Sequence, residues 1–248
     1  MKPIDDQIAV KLLVTCLNEE GNVLEFIEEL MANLSSKIRL ALVLVNNGSN
    51  DQTGSIINKL AQKYTCITTL HRDHPLEYGA SILNAHQYPL NFNPDYIGWA
   101  PSDNQISGKD TAKTLNLLIS NNPSFVKVER YEKNYSLMRK IQSYGFNIIT
   151  SILYQKQFKD INGSPKLFHA KLFSLLDLQA KDWFLDGEAY LKVSRLMDKD
   201  NFIYVPARFN ERTHGKSKTR WSTAFELFVQ IVKFRLWGMP KWLNQLNV

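Results

Sequence analysis

The sequence predicts an α/β fold built on a single open, mostly parallel sheet with helices on both faces. Short β-rich apolar runs alternate with segments of helical periodicity through the first half of the chain. The runs are apolar nearly throughout rather than at every second position, as strands covered on both faces are. The 248 residues, 44% hydrophobic and 22% charged, are enough for one large domain with a substantial core.

The first run, "IAVKLLVTCL" (8 to 17), precedes "GNVLEFIEELMANL", where Val23, Phe26, Ile27, Leu30, Met31 and Leu34 fall at helical spacing. "RLALVLV" (39 to 45) precedes "DQTGSIINKLAQKY". "CITTL" (66 to 70) precedes a helix from about Tyr78, and "DYIGWA" (95 to 100) precedes "KDTAKTLNLLISNN". This rhythm predicts parallel strands joined by right-handed crossovers. After "FVKVER" (125 to 130) it breaks. A long helix from about 136 to 155, the segment "DINGSPKLFHA", a helix across 187 to 197, a strand "FIYVPA" and a last helix from about Trp221 follow. This half is expected to pack on the same sheet and wall the other side of a cleft. The domain then runs to about residue 220, with 221–248 a C-terminal amphipathic helix.

Several classes are excluded. Cys16 and Cys66 lie in apolar runs without metal-ligand spacing and read as buried, reduced thiols. Acids near the N-terminus do not fit a signal peptide, so a cytoplasmic protein is expected. The apolar stretch from Trp221 is interrupted by Glu226, Lys233 and Arg235 and does not reach a membrane span. There is no GxGxxG after the first strand and no GxxxxGK[ST]. The net charge of +6 favours an anionic partner. Its cations are dispersed, without an RNP-type signature or zinc finger, so nucleic acid is not expected.

Ligands in such sheets sit beyond the carboxyl ends of the strands. Those ends read "TCLNEEGN", "VNNGSNDQT", "APSDNQIS" and "VER", all rich in short polar side chains. With "DINGSPKLF" and "RTHGKSK" further on, they come in an order that resembles family 2 glycosyltransferases of GT-A fold, in particular polyprenyl-phosphate sugar transferases related to dolichyl-phosphate mannose synthase. The likeness runs from about residue 10 to about 220. It implies an inverting transfer of a sugar from a nucleoside diphosphate sugar to a polyprenyl phosphate. Two alternatives are a saccharide or lipid-linked saccharide hydroxyl as acceptor, in cell-envelope polysaccharide synthesis, and a non-catalytic nucleotide-sugar-binding protein.

The resemblance implies that Thr15, Leu17, Glu19, Asn46, Asn47 and Asp103 bind the nucleotide. Asn46 and Asn47 stand where the family usually has aspartates; an amide keeps an acceptor oxygen but loses charge assistance. "NNGSND" equally suits a turn and the cap of the next helix. Asp103 matches the metal-binding aspartate and Pro101 replaces its usual acidic neighbour. Mg²⁺ or Mn²⁺ is therefore expected on Asp103, with Gln105 assisting. Arg130, Arg139, Arg212, Ser217 and Lys218 match the phosphate-binding positions. Asp186 and Glu188 match the acid that faces the acceptor; for Asp186, capping of the following helix is an equal reading. The last helix, with Trp221, Trp237 and Trp242 and several cations, suits either a peripheral contact with the inner face of the plasma membrane or a core or dimer contact.

Overall fold

The computed structural model describes residues 7–131, 137–197, 201–212 and 221–246, and of 137–143 and 221–225 the backbone alone. Seven strands form one sheet in the order β3-β2-β1-β4-β6-β5-β7. They are β1 (Ile8–Cys16), β2 (Ile38–Asn47), β3 (Ile67–Arg72), β4 (Tyr96–Pro101), β5 (Phe125–Tyr131), β6 (Lys166–His169) and β7 (Phe202–Arg208). All neighbours are parallel except β6, which runs against β4 and β5. The parallel half expected from the strand-helix rhythm is present. The sequence runs do not mark β6; four residues are too short for a pattern to show.

Alternation along β1 assigns the faces. Val10, Leu12, Val14 and Cys16 join one apolar cluster, with α1 (Val23–Asn33), α2 (Thr53–Lys63), α4 (Gly108–Asn116) and α5 (Leu118–Asn121). Leu13 faces the other cluster, with α3 (Tyr78–His86), α6 (Leu137–Tyr154), α7 (Ala170–Leu176), α8 (Leu185–Leu196), α9 (Trp221–Lys233) and α10 (Met239–Gln245). Both faces are covered, as expected.

Residue 220 is not a packing boundary. Past it, Ile231, Met239 and Trp242 are buried in the second cluster, and the Trp242 indole donates to the Leu175 carbonyl at 3.1 Å. A π-helical turn at Phe234–Gly238 joins α9 to α10 and leaves Leu236 and Trp237 outside. One side of the C-terminal segment is therefore core, and only its outer side is open to another partner. No helix among the described residues is long and apolar enough to cross a membrane.

Candidate functional site

The parallel strands end on one edge of the sheet, and there the polar segments meet. Cys16 pairs in register with Asn46, Thr15 with Pro101, and Arg130 with Ala207. The segment after β1 is zipped to the turn after β2. Asn18 N–H donates to Ser49 Oγ (3.0 Å) and Asn50 N–H to Asn18 Oδ1 (3.0 Å). Glu19 N–H donates to Thr53 Oγ1 (2.8 Å) and Gln52 N–H to Glu20 Oε2 (2.8 Å). Thr15, half-buried, offers its carbonyl to the Ser102 hydroxyl at 2.9 Å, which ties β1 to the turn after β4. Thr15, Leu17 and Glu19 thus belong to the segment at this edge, with Glu19 Oε2 accepting from the Asn22 amide at 2.7 Å.

Asn46 and Asn47 are both buried. Asn46 Oδ1 accepts from Ser49 N–H at 3.1 Å, the turn role left open by the sequence. Asn47 pairs its whole amide with Leu76: Nδ2 donates to the carbonyl at 2.9 Å and Oδ1 accepts the N–H at 3.0 Å. An aspartate here lacks the donor for the first of these bonds, so the departure from the family residue has a structural use. The loop that Asn47 pins passes very close to Gly48: a side-chain carbon there would sit 2.6 Å from Pro75 N, and φ is +76°.

Asp103 lies in the turn after β4. Its Oδ1 accepts the Gln105 N–H at 3.2 Å and its Oδ2 accepts from Arg212 Nη2 at 2.6 Å. Gln105 also holds the chain leaving β7. Its carbonyl accepts Asn210 N–H (2.9 Å) and its Nε2 donates to the Asn210 carbonyl (3.3 Å). Residues 209–212 therefore cross from the edge strand back to the centre of the sheet and carry Arg212 to Asp103. The oxygen donors of Asp103 and Gln105 fit a hard cation such as Mg²⁺ or Mn²⁺ if diphosphate oxygens and waters complete its shell. Among the described residues no group of three or more His, Cys, Asp or Glu forms a protein-only site.

Arg130, at the end of β5, is bound twice by Asp160. Its Nε donates to Oδ2 at 2.9 Å and its Nη2 to Oδ1 at 2.7 Å, while its backbone N–H reaches Oδ2 at 2.8 Å. The guanidinium also lies over the Phe209 ring, 5.1 Å from its centre. Arg139 lies in α6, but its side chain, like Ser217 and Lys218, is outside the described residues.

The two acids of "FLDGE" separate. At 100° per helical residue, positions two apart point to nearly opposite sides. Asp186 faces the sheet, where its Oδ1 accepts from Lys166 Nζ (2.5 Å) and the Trp99 indole (3.0 Å). Its charge also acts on the Tyr78 phenol. Burial, then the Asp186 charge, raises that phenol well above its usual range. Glu188 faces away. It accepts from Gln179 N–H (3.0 Å), Ala180 N–H (2.8 Å) and Lys192 Nζ (2.7 Å), and is buried. This corrects the expectation for Glu188: its carboxylate fastens the loop before α8 rather than facing an acceptor.

Sequence reasoning missed Asp160, Tyr78, Lys166 and Trp99. "DINGSPKLF" contained Asp160 without giving it a task, and no pattern marks a lone Lys or Trp as the partner of a distant acid. Cys16 and Cys66 are free thiols, and burial pushes Cys16 up to about 12.

Residues 12–177 match the family model described as Glycosyl transferase family 2. An uncharacterised protein of Methanocaldococcus jannaschii is 25% identical over 233 residues, covering 90% of this chain and 97% of that one. A dolichyl-phosphate beta-glucosyltransferase of Trichomonas vaginalis is 24% identical over 230 residues, covering 86% and 69%. Glucosyl-3-phosphoglycerate synthase from Mycobacterium tuberculosis, crystallised with Mn²⁺, uridine diphosphate and glucosyl-3-phosphoglycerate, has a TM-score of 0.69 at 12% identity, covering 92% of this chain and 80% of that one. That likeness bears on the fold.

Proposed function

Because the chain belongs to glycosyl transferase family 2 and has the GT-A fold, we propose that it moves a sugar, with inversion, from a nucleoside diphosphate sugar to a polyprenyl phosphate. Glu19 and the strand-end segments after β1 and β2 hold the nucleoside. Asp103, with Gln105, holds Mg²⁺ or Mn²⁺ against the diphosphate. The cation supplies Lewis-acid stabilisation of the leaving diphosphate. Arg130, fixed by Asp160, supplies positive charge that needs no rearrangement as the sugar departs. Arg212 shares Asp103 in the structure and passes to the diphosphate when donor binds. Ser217 and Lys218, at the family's phosphate-binding positions, are assigned to the same diphosphate.

The observation that carries the acceptor class is the placement of Asp186. A hydroxyl acceptor needs a base to take its proton, whereas a phosphate acceptor is already an anion. Asp186 is held in the core by Lys166 and Trp99, and its side chain is only 7% exposed. Glu188 points elsewhere. A phosphate acceptor suits this arrangement better than a glycan hydroxyl, and the similarity to a dolichyl-phosphate beta-glucosyltransferase agrees with it.

The test is transfer of labelled sugar from UDP- and GDP-sugars, with and without Mn²⁺, to detergent-solubilised polyprenyl phosphate. Product on polyprenyl phosphate that still forms with Asp186→Asn is expected. Transfer only to a glycan hydroxyl, abolished by Asp186→Asn, would establish the rival acceptor. Absence of turnover with every donor would leave a nucleotide-sugar-binding protein.

A further inference from the structure

On a helix that packs on one side, the outer side is ordinarily polar. α6 departs from this. Its inner side presents Phe146, Leu153 and Tyr154 to the second apolar cluster, with Thr150 buried beside them. Its outer side presents Tyr144, Ile148 and Ile152, spaced four apart and 70%, 57% and 71% exposed. Beside it the π-helical turn exposes Leu236 and Trp237, the latter 66%. Arg235 joins the two elements: its Nε donates to the Leu153 carbonyl at 3.0 Å and its guanidinium lies over the Tyr154 ring. Large apolar side chains exposed together in this way mark an interaction surface.

Charge decides the occupant. Lys159, Lys233, Arg235 and Lys241 are exposed, and residues 137–159 and 227–246 carry no Asp or Glu. Glu226 lies about three helical turns before the exposed Leu236 and Trp237. A second copy docked on this face through a two-fold axis would set cations against cations. An anionic lipid surface meets both requirements, with the isoleucines and Trp237 in the acyl boundary and the Lys and Arg at the headgroups. We propose that the outer side of α6 and the π-helical turn together form the surface by which this protein docks on an anionic bilayer. The inference rests on the polyprenyl phosphate reading, since a polyprenyl chain stays in the bilayer and the enzyme has to go to it.

The experiment uses the full chain and vesicles of phosphatidylcholine with or without phosphatidylglycerol. Binding to the anionic vesicles at low salt is expected. It falls at least tenfold in the double variant Ile148→Ser, Ile152→Ser, and it weakens in about 0.5 M salt as screening shortens to a few Å. Thermal midpoint and nucleotide binding of the variant remain those of the parent. As a second measurement, brominated lipid quenches part of the tryptophan fluorescence, and Trp237→Phe removes that part. No binding to anionic vesicles at low salt would overturn the proposal. So would equal binding by the double variant, or a dimer in light scattering that the variant dissolves. Vesicle docking without transfer to polyprenyl phosphate would sink the acceptor reading alone. Transfer in detergent without vesicle docking would sink this inference alone.

Discussion

The two halves of the sheet are stabilised by different means. Between β1 and β4 the interior is apolar, with Leu12, Leu13, Val14, Leu42, Leu44 and Trp99 buried, and polar side chains gather at the strand ends. Lys11 is the exception, and it caps α3 by donating to the carbonyls of His86 and Tyr88. Around β5 to β7 the interior holds Lys127, Lys166, Lys192, Asp160, Asp186 and Glu188. These charges are bound to one another, to Arg130 or to backbone carbonyls. Burying a charge costs several kcal/mol unless a partner offsets it. The second half therefore depends on specific pairs, whereas the first depends on volume and shape. In the first half the polar groups gather at the strand ends; in the second, most are scaffold inside the sheet.

The sharpest way to break this contrast is mutational. Lys166→Met leaves Asp186 buried with the indole as its remaining donor, and it is expected to cost about 3–5 kcal/mol in urea unfolding. Adding Asp186→Leu should recover most of the loss, because the stranded charge is gone. In the apolar half, Leu13→Ala should cost about 2–5 kcal/mol through its cavity, and no second polar-to-apolar change should rescue it. Failure of the Lys166, Asp186 double variant to recover would mean that the pair itself supplies stability.

At the site, Asp103→Asn is expected to lower Mn²⁺-dependent nucleotide affinity at least tenfold, about 1.4 kcal/mol, with the melting midpoint little changed. Calorimetry with and without Mn²⁺ reads it. Equal affinity in both conditions would remove Asp103 from the metal site.

A pH test separates the halves more finely. Burial pulls the Lys127 ammonium down to about 7, against the opposing pull of Asp160. Its folded value lies below its unfolded one, so the unfolded chain binds more protons between about 7 and the usual lysine value near 10.4. Stability therefore rises with pH through that window, by at most about 1.4 kcal/mol per unit for this group. Urea midpoints of Lys127→Met should show a shallower rise than the parent. Parallel curves would show that Lys127 stays charged in the fold.

The smallest effect is expected at Asn47→Asp, which restores the family's more usual residue. It removes the donor to the Leu76 carbonyl and should cost about 0.5–1.5 kcal/mol. Nucleotide affinity in the same variant shows whether Asn47 also touches the base.

Much of the first half was legible because its strands are continuous apolar runs and its site residues follow them directly. β6 was not legible, being four residues long and placed between β4 and β5, both of which precede it in the chain. Glu188 illustrates the limit at the site. Sequence shows two acids two positions apart, and helical geometry alone separates their faces. Which face looks toward the cleft depends on how α8 packs.

By itself the sequence determined the fold class, the family, and the strand ends where Thr15, Glu19, Asn46, Asn47 and Asp103 lie. These follow from periodicity and motif order, which are local properties of the chain. Only the tertiary structure decided that Arg130 is fixed by Asp160, that Arg212 is delivered to Asp103, that Asp186 is bound by Lys166 and Trp99, and that one side of the C-terminal segment is core. Each of these contacts joins residues from 20 to 109 positions apart. The energy of a buried charge depends on its partners in space, and spacing along the chain carries no record of them.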